Sequence, residues 1–76
     1  MNSEELEVGK IYVTSAPVKV CFYDYDDCLV TDRIDLSVGT ELTYFGADAD
    51  GGDIFTNDNG TKYCFHADDL AVLEAA

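Results

Sequence analysis

Hydrophobic and polar residues alternate along several short stretches of this chain, and a period of two is typical of β-strands with one buried face. Residues 8–15 place Ile11 and Val13 on one side of an extended segment and Tyr12 on the other. Residues 16–23 alternate in the same way, and the single proline lies at their start, where a missing backbone N–H is tolerated. The N-terminal part of the chain therefore predicts two strands.

The second half of the chain repeats this pattern at shorter spacing. Leu42 and Tyr44 share one face of a further strand, and residues 53–57 and 61–66 flank an Asn-Gly dipeptide. Asn-Gly favours the type I′ turn of a two-residue hairpin. These segments predict one strand followed by a β-hairpin.

Two segments are less regular. Residues 28–38 indicate a poor strand or a long, irregular hairpin arm that ends at a turn marked by Gly39. Residues 67–76 are compatible with one helical turn and a short closing strand, or with a short C-terminal helix. About five to six short strands with closely spaced turns predict a mainly β fold, a small antiparallel barrel with a short helical turn near the C-terminus. Closure into a barrel would also hide sheet edges.

The length and composition are those of one small folded domain. Residues 1–76 are enough for a single domain, and residues 1–7 are expected to be frayed. A chain of this length buries only about 60% of the surface that its unfolded form exposes, so the core must be small. Five Tyr and four Phe distinguish the chain from a disordered acidic tail.

The charge of the chain excludes several kinds of partner. Sixteen acidic residues face four basic ones, which gives a net charge of −12. This excess argues against direct nucleic-acid binding, which needs Lys and Arg against phosphate, and against binding to an anionic membrane surface. It favours a basic protein surface or a cation as the partner, and no cofactor is expected.

The cysteines and the absence of apolar runs indicate a reducing compartment. The N-terminus is acidic, and no segment has the roughly 20 apolar residues of a membrane span. The three cysteines are an odd number without a CxxC pair. We therefore expect a cytoplasmic protein in which Cys21, Cys28 and Cys64 are thiols. Cys21 shares a face of its strand with Tyr23 and is expected on the less buried side.

Two motifs resemble the SH3 family. Residues 22–25, Phe-Tyr-Asp-Tyr, are similar to the strand that opens an SH3 domain, and residues 35–39, Asp-Leu-Ser-Val-Gly, are similar to a later segment that ends in a glycine turn. The similarity would cover roughly residues 20–74 and implies an SH3-like barrel with three further strands, a one-turn helix and a closing strand. The chain has no Trp, and Ala67 stands where the family's peptide groove has a proline, so the resemblance implies a fold and not that groove.

Acidic residues and two tyrosines form the candidate partner-binding site. Carboxylates two residues apart in an extended chain are separated by about 6.6 Å, and a rigid fold with that spacing would imitate a nucleic-acid backbone and attract a Lys/Arg groove. The alternative is that the acidic residues only keep the protein soluble and the tyrosines fill the edge of the core. The predicted residues are Tyr23, Asp24, Tyr25, Asp26, Asp27, Asp32 and Asp35 in a first patch, and Asp48, Asp50 and Asp53 in a second.

Metal binding and catalysis have less support. Counted from Asp48, the first residue of the loop 48–58, Asp53 and Asn59 occupy the sixth and twelfth places, where an EF-hand needs Gly and Glu. This favours a solvated loop over a cation site. Cys64 and His66 are two residues apart, which matches no standard zinc pattern, so a buried thiol is expected and no metal ligand is assigned. One His and no phosphate-binding loop give no catalytic residue, and we do not expect an enzyme.

Three functions remain open from the sequence. The first is an acidic, non-enzymatic SH3-like protein that engages a basic protein surface, as a phage-type inhibitor of a host nucleic-acid-binding protein of defence or transcription, acting by charge mimicry in the host cytoplasm. The second is an adaptor that recognises a peptide or protein through Tyr23 and Tyr25. The third is a weak cation-binding module that uses residues 48–58.

Overall fold

The structure, a computed structural model, describes residues 2–24, 29–47 and 51–76, with the backbone alone for residues 24 and 29–32. The described chain is mainly β-sheet, with two 3-10 helices at Ser3–Glu5 and Ala67–Val72. The strands are β1 (Ile11–Thr14), β2 (Val18–Asp24), β3 (Leu29–Leu36), β4 (Glu41–Ala47), β5 (Asp53–Thr56), β6 (Lys62–Phe65) and β7 (Leu73–Ala75). Neither of these two helices is long and apolar enough to cross a membrane.

The seven strands lie in one sheet with the order β3-β2-β6-β5-β4-β1-β7, and every pair of neighbours is antiparallel. A flat sheet of this many strands would be about 29 Å wide and thin, whereas the molecule measures 30 × 24 × 23 Å. The sheet is therefore curled. The mainly β, antiparallel prediction is confirmed, as is the helical turn near the C-terminus, but there are seven strands where five to six were expected. Of the two alternatives for residues 67–76, the structure has the helical turn followed by a short closing strand.

The concave face of the sheet surrounds an aromatic core. Each strand and the C-terminal 3-10 helix contributes at least one side chain to it. Phe55 is fully buried, and its ring centroid lies 6.1 Å from that of Tyr12, 5.2 Å from that of Tyr44 and 4.7 Å from that of Phe65. Such tilted and edge-to-face contacts add to the hydrophobic gain of burial. The core residues are Tyr12, Val20, Leu36, Leu42, Tyr44, Phe55, Tyr63, Phe65, Leu70 and Leu73.

Strand β1 buries Tyr12 and Thr14 and exposes Ile11, whereas Val13 is half-buried. Tyr12 and Thr14 are each 1% exposed, whereas Ile11 is 47% exposed. The Thr14 hydroxyl donates to the Ser37 carbonyl oxygen at 2.8 Å and accepts from the Thr40 backbone N–H at 2.9 Å. Because these bonds satisfy the hydroxyl, its burial is tolerated and it fixes the turn between β3 and β4.

The N-terminal residues, which the sequence predicts to be frayed, make specific contacts from Ser3 onward. The Ser3 hydroxyl donates to Asp53 Oδ1 at 3.0 Å, and the Glu7 backbone N–H donates to the Tyr12 hydroxyl oxygen at 2.9 Å. Leu6 packs against the core. These contacts join the N-terminal segment to β1 and β5.

The β5–β6 hairpin is present where the sequence predicts it, but its turn is longer. The Gly60 backbone N–H donates to the Asn57 carbonyl oxygen at 3.1 Å, so Asp58 and Asn59 are the central residues of the turn. Gly60 follows with φ +82°, a left-handed conformation that favours glycine. Asn57 Oδ1 accepts two backbone N–H groups, those of Asn59 and Thr61, each at 2.9 Å. The side chain of Asn57 therefore replaces the two-residue type I′ turn as the organising feature.

Replacing Asn57 with Ala should destabilise the protein by about 1–2 kcal/mol, since two backbone N–H groups lose their acceptor. Asn59→Ala is the matched control, because Asn59 is exposed in the same turn and contributes its backbone N–H to the network. Urea unfolding followed by circular dichroism measures both. Equal losses for the two variants would contradict this role of Asn57.

A second, smaller buried cluster lies on the convex face of the sheet. Ile54, Cys64 and Cys21 are direct neighbours across β5, β6 and β2, and are 3%, 1% and 7% exposed. They alternate with core residues and do not belong to the main core. Cys21 lies, as expected, on the side of β2 opposite the main core, where Lys19 is exposed, but its own side chain is buried. Gly52 packs against Cys64 Sγ.

Replacing Gly52 with Ala should destabilise the protein by about 1–3 kcal/mol through overpacking. A Cβ at this position would lie 2.6 Å from Cys64 Sγ. In a Cys64→Ala background the obstructing sulfur is gone, so the same substitution should be close to neutral. Denaturant unfolding of the wild type, the two single variants and the double variant gives the coupling free energy between the two substitutions. An equal cost in both backgrounds would show that the clash is not the cause.

Candidate functional site

The β2–β3 hairpin carries the first predicted acidic patch. Strand β2 pairs with β6 at Cys21 and Phe22, whereas its pairing with β3 continues to Tyr23 opposite Val30 and Asp24 opposite Leu29. The register shifts between Cys21 and Tyr23, as it does at a β-bulge, which strengthens the local twist. In the described residues, the end of the hairpin therefore extends beyond the body of the sheet.

Two members of the first patch have described side chains. Tyr23 is half-buried on β2, and Asp35 is exposed on β3. Lys19 Nζ lies 3.8 Å from Asp35 Oδ1, and the two side chains are 57% and 77% exposed. An ion pair this exposed contributes little to stability because water screens it. Asp35 is therefore available to a partner, in competition with Lys19.

For most of the remaining predicted residues, the structure describes either the backbone alone or nothing. Asp24 and Asp32 lie in β2 and β3, and only their backbones are described. The residues wholly outside the described ranges are Tyr25, Asp26, Asp27, Asp48 and Asp50. Their assignment to partner-binding patches stays a prediction.

Asp53 does not belong to a surface patch. Its side chain is 2% exposed, and its Oδ1 accepts from the Tyr44 hydroxyl at 2.8 Å and from the Ser3 hydroxyl at 3.0 Å. A buried carboxylate needs such donors. In the sequence, Asp53 belongs to an Asp-rich segment. Nothing in that segment indicates that one of its donors, Ser3, lies fifty residues earlier. We therefore remove Asp53 from the candidate partner-binding residues and from the 48–58 cation loop.

Burial and the contact with Asp53 raise the pKa of Tyr44. Burial of the phenol, followed by its hydrogen bond to Asp53 and the negative charge of that carboxylate, raises the pKa of Tyr44 from 10.0 to about 12. Ionised Tyr44 would be poorly solvated and would face a second negative charge. The pair therefore fixes the neutral phenol as a donor at physiological pH.

The structure adds exposed carboxylates that the sequence analysis did not single out. Glu41 on β4 and Glu74 on β7 both pair with Val13, so they flank it on the convex face, separated by about 10 Å or twice the strand spacing. Strand alternation could have suggested their exposure, but nothing in the sequence distinguishes them from other acids. Further acidic residues that are exposed are Glu4, Glu5, Glu7, Asp58 and Asp68.

Two lysines lie over aromatic rings. Lys10 Nζ is 5.9 Å from the centroid of Tyr12, and Lys62 Nζ is 5.2 Å from that of Phe45. Phe45 is 45% exposed, so the lysine covers part of an apolar surface. Tyr12, together with Tyr44 and Tyr63, belongs to the core.

No metal site is found within the described ranges. No group of three or more His, Cys, Asp or Glu side chains there could hold a metal ion. His66 is exposed and precedes the C-terminal 3-10 helix, where its backbone N–H donates to Asp69 Oδ2 at 3.0 Å. His66 and Asp69 thus serve as a helix cap.

Comparison with protein-family models, curated proteins and solved structures gives no match for this chain. The function proposed below therefore depends on the charges and contacts of this molecule.

The Tyr44–Asp53 pair predicts a loss of stability at alkaline pH. In the unfolded chain Tyr44 ionises near pH 10.0, and in the folded protein near 12, so its contribution is complete below pH 10 and declines between pH 10 and 12. Two pKa units correspond to about 2.7 kcal/mol. The difference in unfolding free energy between wild type and Tyr44→Phe should therefore narrow by about 2–3 kcal/mol over this range.

Urea unfolding of both proteins at several pH values measures this difference. Lysines and the other tyrosines titrate in both proteins, so their contributions cancel. A difference that stays constant from pH 8 to pH 12 would contradict the assignment.

Proposed function

We propose that this chain is a non-enzymatic binding protein whose acidic surface engages a basic protein surface. In its most specific form, it is a phage-type inhibitor that occupies the nucleic-acid-binding surface of a host defence or transcription protein. The carboxylates then take the place of phosphates, and the partner's Lys and Arg side chains supply the attraction.

The observation that carries this proposal is the excess of carboxylates, of which Asp35, Glu41 and Glu74 are exposed on strands of the sheet. If each of the four basic residues neutralised one carboxylate, a charge of −12 would remain. In the described part of the chain, Asp53 is the acidic residue that is buried, and Tyr44 and Ser3 satisfy it. A net charge of magnitude about 2–8 is sufficient for solubility in a small domain. The excess is therefore available for recognition.

Rigidity distinguishes this surface from a disordered acidic tail. Glu41 and Glu74 are held on hydrogen-bonded strands on either side of Val13. Charges that are already ordered lose less conformational entropy when a partner binds. A partner with a fixed array of Lys and Arg side chains would be recognised by spacing as well as by charge.

The resemblance to SH3 domains stays a prediction. It is supported by the order of elements after β4, which is two further strands, a 3-10 helix and a closing strand. Residues 22–24 of the first motif lie in β2, and Gly39 of the second lies in a turn with φ +85°. This likeness concerns the fold and carries no function by itself.

The proposal is tested first by capture and competition. The immobilised protein is incubated with extract from a bacterial host and eluted with increasing salt, and each captured protein is challenged with duplex DNA and with RNA. Charge mimicry predicts elution at moderate salt and displacement by nucleic acid, because exposed charges are screened within about 8 Å at physiological ionic strength. Retention at high salt without displacement would contradict mimicry and favour an adaptor that binds through tyrosines.

Neutralising the predicted patch should then weaken binding to the captured partner by about tenfold or more. The variant is Asp24→Asn/Asp26→Asn/Asp27→Asn, and the expected loss corresponds to about 0.5 kcal/mol for each of three charges. Isothermal titration calorimetry at two salt concentrations measures the affinity.

The matched control is Glu4→Gln/Glu5→Gln/Glu7→Gln, which removes the same number of charges. These residues are exposed and lie outside β2 and β3. We expect a loss below about threefold for the control. Equal losses for the two triple variants would show that net charge alone drives binding and would contradict the patch on the β2–β3 hairpin.

A further inference from the structure

Cys21 and Cys64 stand opposite each other at the junction between two parts of the sheet. They are direct partners in the antiparallel register of β2 and β6. Directly opposed residues in an antiparallel pair share one face and have Cα atoms about 4.5 or 5.5 Å apart. Disulfides span Cα separations of about 4.4–6.8 Å. Both types of antiparallel pair therefore satisfy the distance that a disulfide requires.

Both residues are thiols in the structure, and both are buried. Their position is notable because β2 and β6 are joined at two residue pairs, Cys21 with Cys64 and Phe22 with Tyr63. This short ladder connects the β2–β3 hairpin to the β4–β5–β6 meander within the described residues. A covalent link at Cys21 and Cys64 would fasten the hairpin to the rest of the sheet.

We propose that Cys21 and Cys64 are a site of reversible disulfide formation by a low-molecular-weight disulfide such as oxidised glutathione. Cys21 is 7% exposed and Cys64 1%, so Cys21 reacts first. Its thiolate attacks the small disulfide, forms a mixed disulfide and releases one thiolate. The Cys64 thiolate then attacks the sulfur of Cys21 and releases the second. Both protein thiols are oxidised, and the reagent is reduced to two thiols.

The disulfide stabilises the fold and links β2 covalently to β6. A disulfide between residues 21 and 64 closes the chain between them into a loop and so restricts the unfolded state. The melting temperature of the oxidised protein should therefore rise by roughly 10 °C. The hairpin carries Tyr23 and Asp35, so oxidation would also link the proposed partner surface covalently to β6. That consequence rests on the proposed function, whereas formation of the disulfide does not.

The test uses the folded chain with Cys28→Ala, which removes the third thiol. The protein is equilibrated with oxidised and reduced glutathione at several ratios, alkylated, and digested with trypsin without reduction. We expect the peptide of residues 20–33 to be linked to that of residues 63–76, with a mass lower by two hydrogens than the sum of the reduced peptides. Cys21→Ala in the same background is the control and should show neither the link nor the rise in melting temperature.

Two results would overturn the proposal. One is a folded protein that carries glutathione on Cys21 without resolving to the internal disulfide. The other is a protein whose two thiols stay reduced at an excess of oxidised glutathione while circular dichroism shows that it is folded. If the Cys28→Ala protein does not fold, fragmentation of the linked peptide from the wild-type chain distinguishes Cys21 from Cys28 and decides the same question.

Discussion

The curl of the sheet around Phe55 is the constraint on which the remaining features depend. The ring of Phe55 is fully buried and contacts rings from β1, β4 and β6. A flat sheet would leave one side of this ring in water, because a chain of this length has no second layer large enough to cover it. The seven strands therefore bend until they surround the ring, and this bending turns the opposite face of each strand outward.

Two buried polar groups determine which segments join the curled sheet. Thr14 binds the turn between β3 and β4, and Asp53 binds Ser3 of the N-terminal 3-10 helix. Both are held by hydrogen bonds, and an unpaired partner at either site would carry a desolvation penalty of about 1–3 kcal/mol. Alternative arrangements of the N-terminus or of the turn would leave such groups unpaired. The aromatic core supplies most of the favourable burial, while these contacts specify one arrangement.

Local patterns in the sequence account for the strands and turns but not for the partners of individual residues. Alternation predicted Leu42 and Tyr44 on one face, because this feature depends on neighbouring residues. Alternation could not show that β1 buries Thr14 and exposes Ile11, since that choice is made by contacts with Ser37 and Thr40. For the same reason an Asp-rich segment predicted a surface position for Asp53, whose donors, Tyr44 and Ser3, are supplied by other elements.

The negative charge of the chain opposes folding and would favour the binding of a basic partner. A net charge of −12 on a molecule with a Cα radius of gyration of 11.0 Å repels itself and opposes the compact state. A basic partner would relieve this repulsion, and any ligand that binds the folded state stabilises it. The unbound protein must then hold its charged strands together by its own core, which the aromatic contacts around Phe55 provide. Binding of a basic partner would therefore be favoured by the relief of repulsion among the carboxylates. The surface would not have to become ordered on binding.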